Sequence, residues 1–374
     1  MRADYTRSQD AHKHHRGLGW YYADGDGTLK FSLILACAAT LLLNVCTVSG
    51  AEARTVDTAG VAAEIGMMLN AKHAATSIEE RRKLAADIMR QVENPLTINQ
   101  GHHNTCAFAA TEARTYTLYP RAAADLIRQV ATTGMYTTAR GEKIKVDPAN
   151  LKPDAEATTG GYGSRSYASQ IFQITAANIY WQRQSEDPRG IECPVGSIRY
   201  VQQQPSLVIA GDTGERLHIL WKDGTVETVV SDAGRPIFEP CVSLEQVQEV
   251  GTMVAQQPND KFVIAGRKFD RTQKYIGVKS MEDLRHQLLR CRQDNRLPLI
   301  AAVDSSRGLF EESNDNNSSQ LHEFKPAWHA VCITDYDPQH DRVSIDNFWG
   351  PRADRVGENS ISISELYSVI TSTN

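Results

Sequence analysis

The sequence predicts an α+β protein of two lobes, because helical spacing dominates its first half and strand spacing its second half. Apolar residues recur at three- and four-residue intervals over residues 59–92, whereas from Ile198 onward the period changes to two. A chain of 374 residues is long enough to bury one large core or two medium ones. The cleft between two lobes would be the natural place for a functional site.

The balance of charges excludes several classes of partner. The chain has 40 basic and 45 acidic side chains, a formal net charge of -5. This leaves no basic field that would attract nucleic acid. The sequence also has no phosphate-binding loop, no dinucleotide fingerprint and no cysteine pair at zinc-binding spacing. We therefore expect no nucleic-acid partner, no cofactor and no metal site.

Residues 1–53 are predicted to be a leader that directs export. An apolar run, residues 31–48, follows Lys30 and precedes a small-residue stretch that ends at Ala53. This order is typical of a secretory signal peptide, and a true start near Leu29 would make it compact. We expect a periplasmic or secreted protein without stable membrane insertion. The alternative is a membrane anchor, because the run, if retained, is marginally long enough to span a bilayer.

The first half of the mature chain is predicted to be mainly helical. Residues 54–94 form either a helical pro-segment or the first packing layer, ending near Pro95, where proline stops a helix. Further helices are predicted from the same spacing over residues 106–118, 121–130 and 281–291, and from Tyr167 onward.

Strands and hairpins are predicted mainly in the second half. Arg140-Gly141 and Lys222-Asp223-Gly224 are typical of hairpin turns between short strands. An apolar strand is predicted over residues 297–303. The last hairpin joins residues 328–336 to residues 342–347 across a five-residue loop.

Five cysteines lie beyond the leader, and their pairing matters in an exported protein. They are Cys106, Cys193, Cys241, Cys291 and Cys332. Four of them could form two disulfides in three ways, leaving one thiol. The alternative is that Cys291 and Cys332, which lie in apolar contexts, are simply buried small side chains.

Three residues combine the groups that thiol catalysis requires. Such a site needs a thiolate, a base beside it and a group that fixes the tautomer of the base. Cys106 is predicted at the first turn of a helix, where the N-terminal dipole favours the thiolate. His329 and Asn347 lie on the two arms of the last hairpin, so strand pairing can bring them together.

The local sequences around these residues resemble those of papain-like cysteine peptidases. Asn99-Gln100-Gly101 followed by Cys106 looks like the family's N-Q-G-x4-C motif. His329-Ala330-Val331 and Asn347-Phe348-Trp349-Gly350 resemble its H-A-V and N-S-W-G motifs. Gly160-Gly161-Tyr162 is similar to the glycine pair whose backbone binds substrate.

The resemblance extends over most of the mature chain and implies a papain-like two-lobed fold for residues 95–374. Cys106 would be the nucleophile in a helical lobe, and His329 the base in an antiparallel β lobe. Asn347 would orient the histidine. Gln100 would form the oxyanion hole together with the backbone N–H of Cys106.

Further residues that match the family's sequence, or differ from it, concern the recognition of substrate. The resemblance implies that Trp349 covers the histidine's hydrogen bond, and that it and Gly160-Gly161-Tyr162 contact substrate. Ala107 stands where the family has tryptophan, and His103 stands where it has a disulfide cysteine. We expect His103 and its neighbour His102 to be solvated loop histidines.

The implied activity is that of a cysteine-type endopeptidase, a thiol protease acting through an acyl-enzyme on Cys106. Its partner would be a protein or peptide substrate. One alternative is a papain-fold acyltransferase or amidase of transglutaminase type, in which an amine or a non-peptide amide takes part. Another is a catalytically inactive binding module on the same scaffold.

Asp346 competes with Asn347 for the role of orienting His329. A five-residue loop places Val331 opposite Asn347 and puts Asn347 on the histidine's face of the sheet. A loop one residue shorter moves every side chain to the other face and favours Asp346. The family-like sequence at residues 347–350 favours the first register.

Overall fold

The part of the chain that the structure describes begins at Asp57. The computed structural model describes residues 57–161, 163–203, 212–232, 234–237, 240, 242–266, 274–304, 329–348 and 360–371. The leader, Tyr162, Cys241 and Trp349 lie outside the described residues, so the expectations for them stay predictions.

Nine α-helices occur within the described ranges. They are α1 (Thr58–Asn70), α2 (Ile78–Glu93), α3 (Cys106–Leu118), α4 (Pro120–Thr133), α5 (Ala155–Thr159), α6 (Tyr167–Trp181), α7 (Leu244–Ala255), α8 (Met281–Gln293) and α9 (Ile363–Thr371). A capping box of Ser77 and Glu80 starts α2. Gly134, with φ of 70°, ends α4 in the left-handed conformation that glycine favours. None of the helices in these ranges is both long and apolar enough to cross a bilayer.

The first two helices pack into the same compact unit as the rest of the described chain. Glu64 of α1 accepts hydrogen bonds from Arg121 and Arg128 of α4, at 3.2 and 2.7 Å. Asp87 of α2 accepts one from the backbone N–H of Tyr167, which begins α6, at 3.1 Å. These helices are thus a packing layer in the structure, and a role as an inhibitory pro-segment stays a prediction.

The described strands form three sheets. They are β1 (Met135–Thr137), β2 (Lys143–Lys145), β3 (Ile198–Gln202), β4 (Glu215–Leu220), β5 (Val226–Thr228), β6 (Val263–Gly266), β7 (Ile276–Val278), β8 (Leu299–Val303), β9 (His329–Asp337), β10 (Arg342–Asp346) and β11 (Ile361–Ser362). One sheet is the β1–β2 hairpin, the second has the order β3-β4-β5, and the third has the order β11-β10-β9-β8-β6-β7. Helices and several sheets together confirm the α+β class.

The six-stranded sheet is mixed. β6 pairs in parallel with both β7 and β8. β8, β9, β10 and β11 pair antiparallel with one another in that order. The predicted antiparallel arrangement therefore holds for the half that carries His329. In the other half, a crossover containing α8 joins β7 to β8, and both of these strands run parallel to β6.

Three of the four described cysteines are buried, and Cys106 is half-buried. Cys106, Cys193, Cys291 and Cys332 form no disulfide within the described residues. Cys291 and Cys332 are 1% and 0% exposed, which confirms the prediction of burial for both.

Candidate active site

Cys106 is the first residue of α3 and is half-buried. Thr105 occupies the N-cap position, but its side chain does not cap the helix. The Thr105 hydroxyl instead donates to the side-chain oxygen of Gln173, at 2.6 Å. The dipole and backbone N–H groups of this helix end therefore favour negative charge at the Cys106 sulfur.

Helix α3 packs directly on strand β9. The Cys332 thiol donates to the backbone oxygen of Ala110, at 3.4 Å. Ala110 lies one helical turn beyond Cys106, and Cys332 lies three residues beyond His329. The helix that begins at the cysteine and the strand that begins at the histidine are thus adjacent in the core.

A second contact joins the loop before Cys106 to the end of the last hairpin. The backbone N–H of Gln100 donates to the backbone oxygen of Phe348, at 3.1 Å. Phe348 is fully buried and directly follows Asn347. The loop also requires glycine at Gly101, because φ there is +62° and a Cβ would lie 1.8 Å from a Glu156 oxygen.

The side chain of Gln100 is held by its own loop. Gln100 is 6% exposed, and its Nε2 donates to the backbone oxygen of His103, at 2.6 Å. The backbone N–H of His103 donates back to the Gln100 carbonyl, at 3.2 Å. Because Nε2 carries two hydrogens, a second N–H of this amide can serve a further acceptor.

His329 and Asn347 form a direct hydrogen bond in the core. Nε2 of His329 lies 2.7 Å from Oδ1 of Asn347, and the two residues are 3% and 2% exposed. Since Oδ1 of an amide can only accept, Nε2 carries the proton and Nδ1 keeps its lone pair. Asn347 thereby fixes the tautomer in which Nδ1 is the basic atom.

Burial determines the protonation state of His329. Desolvation lowers its pKa to about 4, although the hydrogen bond that His329 donates to Asn347 acts in the opposite direction. The imidazole is therefore neutral at pH 7. A neutral imidazole with a fixed tautomer can accept a proton from a thiol.

A β-bulge sets which side chain reaches His329. Arg342 pairs with Asp337, so the loop is one residue shorter than predicted. The register then shifts between Ser344 and Ile345, because Thr334 is an extra residue on β9. The two one-residue differences cancel at the site. The prediction that Asn347 faces the histidine is correct, whereas the predicted loop length was wrong.

Asp346 points away from His329. It pairs with Cys332, whose side chain lies on the opposite face of β9 from that of His329. Burial raises the pKa of Asp346 to about 7. Its Oδ2 has no hydrogen-bond partner among the described residues. A carboxyl group in this position does not orient the histidine.

The glycine pair lies close in space to the Gln100 loop. Gly160 ends α5 with φ of +63°, and Gly161 follows it, both exposed. Within α5, Glu156 accepts a hydrogen bond from the backbone N–H of His102, at 3.0 Å. This contact ties the two loops together, while Tyr162 and Trp349 lie outside the described residues.

Two supporting residues had no signal in the sequence. Gln173 of α6 bonds to Thr105, beside the nucleophile, and to the carbonyl of Asn99, beside Gln100. His103, expected to be solvated, is 4% exposed, whereas the side chain of His102 is 86% exposed. Neither burial is visible in the local sequence, because each depends on segments far along the chain.

Comparisons with known proteins identify no relative of this chain. No model of a known protein family matches it. Searches of curated proteins and of solved structures also gave no significant match. Within the described residues, no group of three or more metal-ligating side chains is placed to hold an ion.

Proposed function

We propose that this protein is a papain-like cysteine endopeptidase, with Cys106 as nucleophile, His329 as base and Asn347 as the orienting residue. The observation that carries the proposal is the buried hydrogen bond between His329 and Asn347, which leaves Nδ1 as a base. It is supported by the contact of Gln100 with Phe348, which links the nucleophile loop to the same hairpin.

We also propose a two-lobed arrangement, which the same contacts support. A helical lobe containing α3 would carry Cys106 and Gln100. The six-stranded sheet would form the second lobe and carry His329 and Asn347. Substrate would lie in the cleft between them, along Gly160-Gly161-Tyr162 and Trp349.

The proposed reaction begins with transfer of the Cys106 proton to Nδ1 of His329. The sulfur attacks the peptide carbonyl carbon, and the resulting oxyanion accepts hydrogen bonds from the Cys106 backbone N–H and Gln100 Nε2. The imidazolium gives its proton to the leaving amine as the C–N bond breaks. Water then attacks the thioester, with His329 again as base, and releases the acid and the thiol.

Thiol labelling and substrate cleavage test this proposal together. Purified protein is treated with iodoacetamide and labelling at each cysteine is quantified by mass spectrometry. Labelling of Cys106 should depend on His329, while buried Cys193 serves as the internal control. Casein cleavage should be lost in Cys106→Ala, by roughly 10³-fold or more.

The remaining outcomes separate the alternatives. Incorporation of an amine donor into a glutamine-rich protein, without casein cleavage, would favour an acyltransferase. Labelling independent of His329 together with no turnover would favour an inactive binding module. The proposed export is tested by intact-mass measurement, since a mature protein that retains residues 1–53 would contradict a cleaved signal peptide.

A further inference from the structure

A buried cluster of charged side chains lies directly behind the Gln100 loop. His103 is 4% exposed, and its two ring nitrogens face two different carboxylates. Nε2 lies 3.4 Å from Asp154 Oδ2, and Nδ1 lies 3.4 Å from Glu215 Oε2. The Nδ1 contact lacks the alignment of a hydrogen bond, so its attraction is electrostatic.

Arg165 completes the cluster, and its side chain is fully buried. Its guanidinium donates to Glu215 Oε1, at 2.5 Å, and to Asp154 Oδ2, at 2.8 Å. The hydroxyl of Tyr200 donates to Glu215 Oε2, at 2.8 Å. Two carboxylates are thus buried around one permanent cation and one histidine.

Electroneutrality favours a positive charge on His103. With the imidazole protonated, His103 and Arg165 balance Asp154 and Glu215. With the imidazole neutral, one buried carboxylate charge is uncompensated, which is costly in a low dielectric. Glu156, which pairs with exposed His102 nearby, adds further negative potential.

The backbone of His103 is also the anchor of the Gln100 side chain. Gln100 Nε2 donates to the His103 carbonyl at 2.6 Å, and the His103 N–H returns a bond to Gln100 at 3.2 Å. A displaced His103 would therefore move the amide that is proposed to stabilise the oxyanion. Cys106 lies three residues beyond His103 and is the first residue of α3, so the nucleophile is positioned by the helix rather than by the His103 backbone.

We propose that His103, held between Asp154 and Glu215, is a positioning residue that aims the Gln100 amide at the oxyanion. This inference rests on the proposed function. It assigns His103 no contact with substrate. Its effect on turnover should pass entirely through Gln100.

The pKa of His103 agrees with this role. Burial and Arg165 lower the pKa, but attraction to Glu215 and Asp154 outweighs them and raises it above the ordinary value of 6.5. Since the pKa in the folded state is raised, the charged cluster is complete below pH 6.5 and is lost as the pH rises through the folded-state pKa. Turnover that depends on His103 should fall over the same range.

The test is a double-mutant cycle read by two assays. His103→Gln is made in the wild type and in Gln100→Ala, and kcat for casein peptides is compared with the rate of iodoacetamide alkylation at Cys106. Alkylation requires the thiol and its base but no oxyanion hole. We expect His103→Gln to lower kcat about 10-fold or more with little change in KM, since loss of a whole oxyanion donor costs about 10²- to 10³-fold.

Two controls define the expected pattern. Alkylation should stay within about twofold of wild type, and His103→Gln should cause no further loss of kcat in Gln100→Ala. His218→Gln, at another buried histidine on β4, should leave kcat unchanged. An equal loss of kcat in both backgrounds, or a parallel loss of alkylation, would overturn the inference.

A second measurement needs no variant at His103. As the pH rises through the folded-state pKa of His103, the ratio of kcat to alkylation rate should fall more steeply in the wild type than in Gln100→Ala, because thiol ionisation contributes equally to both proteins. The same pH dependence of the ratio in the two proteins would also overturn the inference. If Gln100→Ala keeps full activity, the proposed oxyanion role of Gln100 is wrong. If Gln100→Ala loses activity but His103→Gln does not, only the inference about His103 is wrong.

Discussion

The Thr334 hydroxyl donates to the backbone oxygen of Ser344, at 3.3 Å, across the bulge between β9 and β10. Thr334 is the residue that has no pairing partner in this ladder. With the observed four-residue loop and no bulge, Asn347 would lie opposite Cys332 and face away from His329. One extra residue in β9 therefore decides which side chain reaches the histidine.

The first prediction compares the two neighbours at the end of β10. Asn347→Ala should lower kcat/KM by roughly 10²-fold or more, because the His329 tautomer and orientation are no longer fixed. Asp346→Ala should have a much smaller effect on turnover, since Asp346 lies on the other face. Steady-state kinetics of both variants check this, and the reverse ranking would assign the orienting role to Asp346.

A second prediction concerns the stability cost of Asp346. Burial raises its pKa from 3.8 to about 7, so ionisation above pH 7 is less favourable in the folded than in the unfolded state. The penalty grows as the pH rises from 3.8 to 7 and is constant above it. Asp346→Asn should therefore stabilise the protein at pH 8 by about 1 kcal/mol or more, with about 4 kcal/mol as the upper bound.

Denaturant unfolding at two pH values checks this prediction. At pH 4 the carboxyl is neutral in the folded state, and Asp346→Asn should differ little from wild type. The surface variant Asp335→Asn, on the neighbouring strand, is the control. A destabilised Asp346→Asn at pH 8 would indicate that the carboxylate has a stabilising partner.

The third prediction is that activity declines at low pH because His329 gains a proton. Its pKa of about 4 means that the base stays neutral from pH 8 to about 5 and gains a proton near 4. The same lowered pKa makes folding stability fall as the pH drops from 6.5 towards 4, because the unfolded chain binds the proton more tightly. We expect kcat/KM, corrected for the folded fraction, to decline near pH 4.

A pH–rate profile with circular dichroism at each pH checks this limit. His286→Gln, at an exposed position on α8, should leave the acid limb unchanged. An acid limb at pH 6 to 7 would show that His329 is more solvated than the buried site indicates.

Local patterns in the sequence predicted the elements that carry the candidate site. The bounds of α3 were predicted from the run after Cys106, and the last hairpin from alternation on both sides of its turn. The one-residue bulge was not predictable, because Thr334 has strand-forming character and gives no local sign of being extra. His103 was misread because its burial depends on Glu215, more than a hundred residues away.

The last prediction concerns Gln173, whose amide holds both ends of the loop between Gln100 and Cys106. Its Nε2 donates to the Asn99 carbonyl at 3.2 Å and to the Glu112 carboxyl at 2.9 Å. Its Oε1 accepts from the Thr105 hydroxyl at 2.6 Å. Burial raises the pKa of Glu112 to about 8, so this group is predominantly neutral at pH 7 and needs a hydrogen-bonding partner rather than a counter-ion.

Gln173→Met keeps the side-chain volume and removes all three bonds. It should destabilise the fold by roughly 1–3 kcal/mol, because the Thr105 hydroxyl and the Glu112 carboxyl lose a buried partner. It should also lower kcat per folded molecule by about 10-fold or more, since the spacing of Gln100 and Cys106 is no longer fixed. Gln182→Met is the matched control: Gln182 is the buried C-cap residue of the same helix, but its side chain bonds to the Lys145 backbone and to Asn178, away from the loop. Both variants should lose similar stability in denaturant unfolding, and only Gln173→Met should lose turnover. An equal loss of turnover in the two variants would mean that general loosening of α6, rather than the clamp on the nucleophile loop, causes the effect.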